Sequence, residues 1–199
     1  MNPMNLTRRI DIIKRFFGRG VCPYQVAFTL SNPLRRLILS PEELVARLEL
    51  SEGARVLELG PGPGYFSVEV ARSIPRGYLL LLDIQLEMLE MARQRLHKAG
   101  MRHAGYAQGD ASALPVDDGA LDAVFLVAVL GEAPDPRACV QEVYRVLRPN
   151  GLLSNTEQPG DPDFMSPAEV RALAQGAGFR VEQVYGSVKN YTINFRKSV

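Results

Sequence analysis

The chain has 199 residues, 46% of them apolar, and a formal charge of +1, enough to bury one substantial core but too short for two full domains. Its two cysteines, Cys22 and Cys139, exclude a disulfide framework and a four-cysteine metal site, and no bound metal is expected. No apolar run approaches the roughly 18 residues that span a bilayer, and the N-terminus lacks an apolar stretch followed by a small-residue cleavage site, so a cytosolic protein is expected.

The small net charge hides an asymmetry. Residues 1 to 36 carry Arg8, Arg9, Lys14, Arg15, Arg19, Arg35 and Arg36 against the single acid Asp11, and the remainder is net acidic. Leu6, Ile10, Ile13 and Phe17 fall on one helical stripe, widened by Ile12 and Phe16, so the segment reads as a basic amphipathic helix. Two uses stay open: a lid with its apolar face turned inward, or a peripheral contact with an anionic membrane. Nucleic-acid binding is not expected, because the rest of the chain is acidic and no recognised module is visible. The expected organisation is a helical extension over residues 1–40 and one folded domain over 41–199.

Ser40-Pro41-Glu42-Glu43 supplies a cap, a proline at the first helical position and early acids for a helix carrying Leu44 and Leu48. From residue 54, apolar runs alternate with segments of helical period. Arg55 to Leu59, Tyr78 to Ile84, His103 to Gln108, Leu121 to Val129 and Gly151 to Glu157 read as five strands, each too apolar to leave one face in water. Asp135-Pro136 opens a helix with Val140, Val143, Tyr144 and Leu147, and Ser166-Pro167-Ala168-Glu169 opens another that Gly178 stops. Phe179 to Tyr185 and Asn190 to Phe195 then alternate around Gly186-Ser187 as an antiparallel hairpin. The fold expected is α/β: a seven-strand, Rossmann-like, doubly wound sheet, mostly parallel, with the hairpin at its C-terminus and helices on both faces.

Gly60-Pro61-Gly62-Pro63-Gly64 joins the first strand to a helix running to about Ser73. Glycines there let the backbone turn sharply and bring a ligand against bare main chain, at the position where nucleotide-like ligands bind open α/β sheets. The dinucleotide fingerprint needs a small residue five positions after the first glycine, where this chain has Tyr65. Glu58, two residues before Gly60, would repel a pyrophosphate and attract a cation. Asp83 ends the second strand, either holding ribose hydroxyls or capping the next helix. Asp110, in Gln108-Gly109-Asp110-Ala111, ends the third strand, either accepting from an exocyclic amine such as that of adenine or serving as a cap or turn. Three consecutive strands ending in acids call for a ligand to neutralise them, and an adenosyl sulfonium suits all three.

These residues resemble class I S-adenosylmethionine-dependent methyltransferases. Glu58-Leu59-Gly60-Pro61-Gly62-Pro63-Gly64 matches the first motif, Asp83 the second and Gly109-Asp110-Ala111 the third. Leu114-Pro115, Leu121-Asp122-Ala123-Val124 and Glu142-Val143-Tyr144-Arg145-Val146-Leu147-Arg148-Pro149-Asn150-Gly151 look like the fourth- and fifth-strand signatures. The resemblance spans roughly residues 41 to 199 and is most similar to the small-molecule branch with quinone C-methyltransferases and arsenite methyltransferases. It implies that S-adenosyl-L-methionine is the cofactor and S-adenosyl-L-homocysteine the product. It also implies that Glu58 borders the methionine end, Gly60, Gly62 and Gly64 approach the cofactor backbone, Asp83 holds the ribose, and Asp110 with Ala111 reads adenine. Ile84 and Met88 would pack on the adenine or serve as ordinary core.

Methyl transfer needs an acceptor held about 3 Å from the methyl carbon, and a base only if that acceptor must lose a proton. No diagnostic catalytic group stands out. Glu132, after the fourth strand, is the candidate for an acceptor contact or base, with a surface-loop glutamate as the alternative. The fourth strand lacks the Asn/Asp-Pro-Pro-aromatic phrase of enzymes that methylate planar amino nitrogens. Cys139 reads as core, His97 and His103 as exposed or structural, and Tyr24, Tyr106 and Tyr191 as packing aromatics or acceptor walls. The expected function is methyl transfer to a small, possibly lipophilic, acceptor, against the alternative of a non-catalytic cofactor sensor or scaffold. The sequence leaves the acceptor and the oligomeric state open.

Overall fold

A computed structural model describes residues 23–26 and 36–198. The amphipathic stripe of Leu6 to Phe17, the seven basic residues other than Arg36, and Cys22 lie outside the described residues. Seven strands form one sheet: β1 (Arg55–Leu59), β2 (Tyr78–Asp83), β3 (Ala104–Gln108), β4 (Leu121–Val127), β5 (Leu147–Glu157), β6 (Phe179–Ser187) and β7 (Asn190–Lys197). Their order is β3-β2-β1-β4-β5-β7-β6. β3, β2, β1, β4 and β5 run parallel, and β7 is antiparallel to both β5 and β6. Strand order therefore reverses between β1 and β4, which opens a crevice at the carboxyl ends of those strands.

Among the described residues five α-helices cover the sheet: α1 (Pro41–Leu48), α2 (Ser67–Ser73), α3 (Leu86–Lys98), α4 (Pro136–Val146) and α5 (Pro167–Gly176). Their starts follow the local chemistry read above. Ser40 Oγ accepts from Glu43 N at 3.0 Å, Asp135 Oδ1 from Ala138 N at 3.0 Å, and Ser166 and Glu169 close a reciprocal capping box. One sheet face packs Val56, Leu79, Leu81 and Phe125 with Leu44 of α1, Val70 of α2 and Leu89 of α3. The other packs Leu57, Leu59, Val124 and Leu153 with Val140 of α4 and Val170 of α5. Each such fully buried side chain contributes about 1.5–3 kcal/mol of transfer free energy.

Several boundaries differ from the sequence expectation. β2 stops at Asp83 and β4 at Val127, because Ala128 takes a left-handed φ of 56° and breaks the ladder. β3 begins at Ala104, and as an edge strand it is only half-buried instead of dry on both faces. β5 starts at Leu147, inside the stretch read as helix: Leu147 pairs with Leu121, the register shifts, and pairing resumes at Leu152 with Ala123. Asn150, at φ 60°, absorbs that irregularity.

Candidate functional site

Alternation along β1 puts Glu58 on the face of Val56, toward α2, and Asp83 shares that face with Leu79 and Leu81. The Leu59–Leu82 register brings the ends of β1 and β2 side by side. Glu58 is 3% exposed, and its Oε2 accepts from Ser67 Oγ at 2.6 Å. Burial pushes its carboxyl up to about 8, Asp83 adds to the rise, and the Ser67 hydroxyl opposes it. Burial thus favours the protonated form, and a cation beside the carboxyl would act against that rise.

Gly60, Gly62 and Gly64 all have positive φ, at 60°, 52° and 75°. Gly60 N donates to Leu82 O at 2.8 Å, and a Cβ on Gly60 would stand 2.6 Å from Val129 Cγ2. At Gly64 a Cβ would lie 3.0 Å from the Ala92 backbone, so this glycine lets α3 approach the turn. α2 begins only at Ser67, leaving residues 61–66 as a tight loop over the strand end.

Asp83 bridges this loop to α3. Its Oδ2 accepts from Gly62 N at 3.3 Å and its Oδ1 from Gln85 N at 2.9 Å. A carboxylate offers about four acceptor positions, and the backbone groups of Gly62, Ile84 and Gln85 all bear on them. Burial raises its pKa, and the backbone bonds from Gln85, Gly62 and Ile84 oppose the rise. Asp110 lies two residues past β3, where its Oδ1 accepts from Ser112 N and Ser112 Oγ, each at 2.8 Å. Those bonds hold its carboxyl below its ordinary range. Gly109 N donates to Asp83 O at 3.1 Å, so the Asp110 loop is continuous with the Asp83 strand end. Ala111 is half-buried against the α4 face. Ile84 is 46% exposed on the rim, whereas Met88 is buried at 2%.

The Leu114-Pro115 phrase and the phrase beginning at Glu142 have a structural use. Glu142 Oε2 accepts from Leu114 N at 2.8 Å, and Arg145 donates to Glu142, Leu114 O and Val116 O. α4 thus fastens the loop that carries Asp110. Glu132 stands in a 3₁₀ turn, Leu130–Glu132, half-exposed past the end of β4.

Two features escape sequence reasoning. Ala128 is a non-glycine residue in left-handed backbone at the crevice, which costs about 1 kcal/mol and aims Val129 over Gly60. Nothing in an alanine signals this. Glu157, fully buried at the end of β5, accepts from Asn155 Nδ2 at 3.2 Å and Met165 N at 3.4 Å, and burial pushes it up to about 7. Its position as a further strand-end acid was available as a signal.

The other sequence candidates go to the core or to surface packing. Cys139 is buried and its thiol is pushed up to about 12 by burial, and Tyr191 packs in the core with its hydroxyl donating to Met165 O at 2.7 Å. Tyr106 packs against the α2–α3 face, His103 bonds Ala71 O at 2.8 Å, and His97 is exposed. Tyr24 reaches the rim, where its N–H donates to Gln85 Oε1 at 3.1 Å. Among the described residues no group of His, Cys, Asp and Glu is arranged to hold a metal, and no helix is long and apolar enough to cross a membrane.

Residues 57–154 match the methyltransferase domain family. A demethylmenaquinone methyltransferase of Listeria welshimeri is 31% identical over 126 residues, covering 62% of this chain and 53% of that protein. The ubiquinone/menaquinone biosynthesis C-methyltransferase UbiE of Pasteurella multocida is 34% identical over 104 residues, covering 51% of this chain and 39% of that protein. The chain thus spans about half the length, or less, of these curated relatives. Among solved structures, a SAM-dependent methyltransferase from Aquifex aeolicus superposes with a TM-score of 0.81 at 23% identity, over 87% of this chain and 98% of that one. The [4+2]-cyclase SpnF superposes with a TM-score of 0.72 at 20% identity, over 82% of this chain and 80% of that one. At these identities the likeness shows the fold, and a fold shared with a cyclase does not by itself fix a reaction.

Proposed function

We propose that the chain, whose residues 57–154 match the methyltransferase domain family, is a class I S-adenosylmethionine-dependent methyltransferase that binds its cofactor at the carboxyl ends of β1 to β3 and methylates a small, lipophilic acceptor of the quinone type. The observation that carries the reading is the pairing of the buried Glu58 carboxyl with three left-handed glycines and Asp83 at the same strand ends. That set suits a ligand with a cationic end, a polar hydroxylated middle and a flat apolar end.

In this proposal Glu58 faces the ammonium and sulfonium end and Gly60, Gly62 and Gly64 clear room for it. Asp83 accepts from the ribose hydroxyls with its remaining lone pairs. Asp110 and Ala111 face the adenine edge, with Ile84 covering its ring and Met88 supporting it from below. The cofactor supplies an electrophilic methyl group. In this reading residues 41–199 form the catalytic domain and residues 1–40 a helical extension that serves as a lid or as a membrane contact. Glu132 lies on the acceptor side, past β4, as an acceptor contact or a proton-accepting group. The quinone reading rests on the relatives that methylate demethylmenaquinone and ubiquinone or menaquinone precursors by their names. A cytosolic protein with peripheral membrane contact fits that acceptor class.

Calorimetry with S-adenosylmethionine and S-adenosylhomocysteine tests the binding half. The Asp83→Ala variant is expected to bind at least about tenfold more weakly, the value of losing charge-assisted hydrogen bonds. Unchanged affinity refutes the ribose assignment.

A further inference from the structure

Glu58, Asp83 and Asp110 go to the cofactor in the proposed function, whereas Glu157, at the end of β5, has no part in it. Thr156, its neighbour, accepts from Ala128 N at 2.8 Å, and Val129, next after Ala128, is the side chain that a Cβ on Gly60 would meet at 2.6 Å. The end of β5 therefore lies one strand beyond the residue that overhangs the cofactor turn, on the side away from β2 and β3. Alternation puts Asn155 and Glu157 on the face of Leu153, and Tyr191 of β7, opposite Glu157 in register, shares that face.

Glu157 and Asn155 are buried, at 0% and 1% exposure, and their hydrogen bonding is incomplete in one direction. Glu157 Oε1 accepts from Asn155 Nδ2 at 3.2 Å and its Oε2 from Met165 N at a long 3.4 Å, which fills two of a carboxylate's roughly four acceptor positions. Asn155 Oδ1 has no hydrogen-bond partner among the described residues. None of the groups that act on Glu157 is a cation, and its charged neighbour Asp161 adds to the effect of burial in resisting ionisation. The Tyr191 hydroxyl, which feels Glu157 together with Glu169 and Arg171 of α5, donates to Met165 O. Two buried acceptors in this state cost free energy unless a donor completes them. The walls suit a flat ring carrying that donor: Phe164 stands edge-on to Tyr191 with ring centroids 6.0 Å apart, and Met165 packs with them. Residues 158–165 form the cover. They turn at Gly160, with φ 87°, and cross the 3₁₀ turn so closely that a Cβ on Gly131 would stand 1.8 Å from Asp163 O.

We propose that Asn155 and Glu157 form the acceptor subsite, receiving a hydroxyl carried on a flat aromatic ring when the 158–165 segment lifts. Glu157 and Asn155 Oδ1 are the acceptors for that hydroxyl, and the bond from Asn155 Nδ2 positions the carboxyl. The inference rests on the proposed function for calling the ligand the methyl acceptor, whereas the preference of the subsite for a hydroxyl is measurable without turnover.

The probes are 1-naphthol and 1-methoxynaphthalene, which differ in the hydroxyl hydrogen, titrated by their own fluorescence into the full chain with S-adenosylhomocysteine present. At pH 8, above the value near 7 to which burial pushes Glu157, the parent is expected to prefer 1-naphthol about tenfold, the value of one hydrogen bond to a charged acceptor. Glu157→Gln keeps the shape and a carbonyl for Met165 N, and is expected to reduce the preference to about threefold, since a neutral acceptor is roughly half as strong. Lowering the pH to 6 does the same to the parent and leaves the variant unchanged. Asn155→Leu also lowers the preference, and S-adenosylhomocysteine affinity stays unchanged in both variants. Absence of saturable 1-naphthol binding by the parent, equal affinity for the two naphthalenes, or an unchanged preference in Glu157→Gln overturns the proposal. A hydroxyl preference that depends on Glu157 with no methyl label transferred from S-adenosylmethionine supports the subsite and refutes the methyltransferase reading. Label transfer with a preference indifferent to Glu157 does the reverse.

Discussion

Replacing Glu58 by glutamine separates what this side chain costs the fold from what it does for the ligand. Folding moves its carboxyl from an ordinary 4.5 to about 8. An acid raised in the folded state holds its proton there while the unfolded chain has released it, so stability falls as pH climbs from about 4.5 to about 8. At 1.36 kcal/mol for each pH unit, pH 7 lies well inside that window, and the penalty there is about 3 kcal/mol. Glutamine has the same shape, carries no charge, and its carbonyl oxygen can still accept from Ser67 Oγ. The Glu58→Gln variant is therefore expected to melt roughly 6–12 °C higher than the parent at pH 7, at about 2–4 °C for each kcal/mol in a chain of this size. The gap narrows below pH 5. Its affinity for S-adenosylmethionine falls by tenfold or more, because no carboxylate forms beside the cationic end. Calorimetry of the parent in buffers of different ionisation enthalpy is expected to show about one proton released on binding at pH 7. Melting curves of the two proteins that stay parallel between pH 5 and pH 8 would refute the reasoning.

Other consequences are equally direct. Gly60→Ala sets a Cβ 2.6 Å from Val129 Cγ2 at φ 60°, and chemical denaturation is expected to show a loss of about 2–3 kcal/mol. Val129→Ala in the same chain should recover the steric part of that loss but not the backbone part. Glu142→Ala removes the acceptor for Leu114 N and the partner of Arg145. It is expected to cost about 1–3 kcal/mol and to speed hydrogen exchange across residues 109–118. Glu132→Gln should leave cofactor affinity intact and lower turnover if the group accepts a proton, and equal turnover would remove it from the chemistry.

How far the sequence carried depends on the range of the interaction behind each feature. The caps at Ser40, Asp135 and Ser166 are contacts across three residues, so their sequence neighbours suffice to identify them. The glycine turn and the acid-ending strands are likewise local, and alternation along β1 and β2 was enough to put Glu58 and Asp83 beside it. Pairing between distant segments was not legible. Leu147 leaves helical spacing to join β5 because Leu121 lies opposite it, 26 positions earlier in the chain. Ala128 adopts a left-handed backbone where its N–H meets Thr156 O at 2.8 Å, a contact with another strand. The bond from Ser67 to Glu58 depends on where α2 begins, and the loop of residues 61–66 delays that start. Glu142 and Arg145 were recognisable as part of a family phrase, but their clamp on Leu114 and Val116 appears only when α4 packs beside that loop. Asp110 was weighed as a ligand contact or a turn former, and its bonds to Ser112 give it the second role whatever it does with the first.

Incubation of the full chain with methyl-labelled S-adenosylmethionine and a fractionated cell extract tests the central claim most directly. Label is expected to pass into the organic-soluble fraction, to be carried on a quinone-like ring, and to be lost with Asp83→Ala. Firm cofactor binding with no label transferred to any fraction would contradict it.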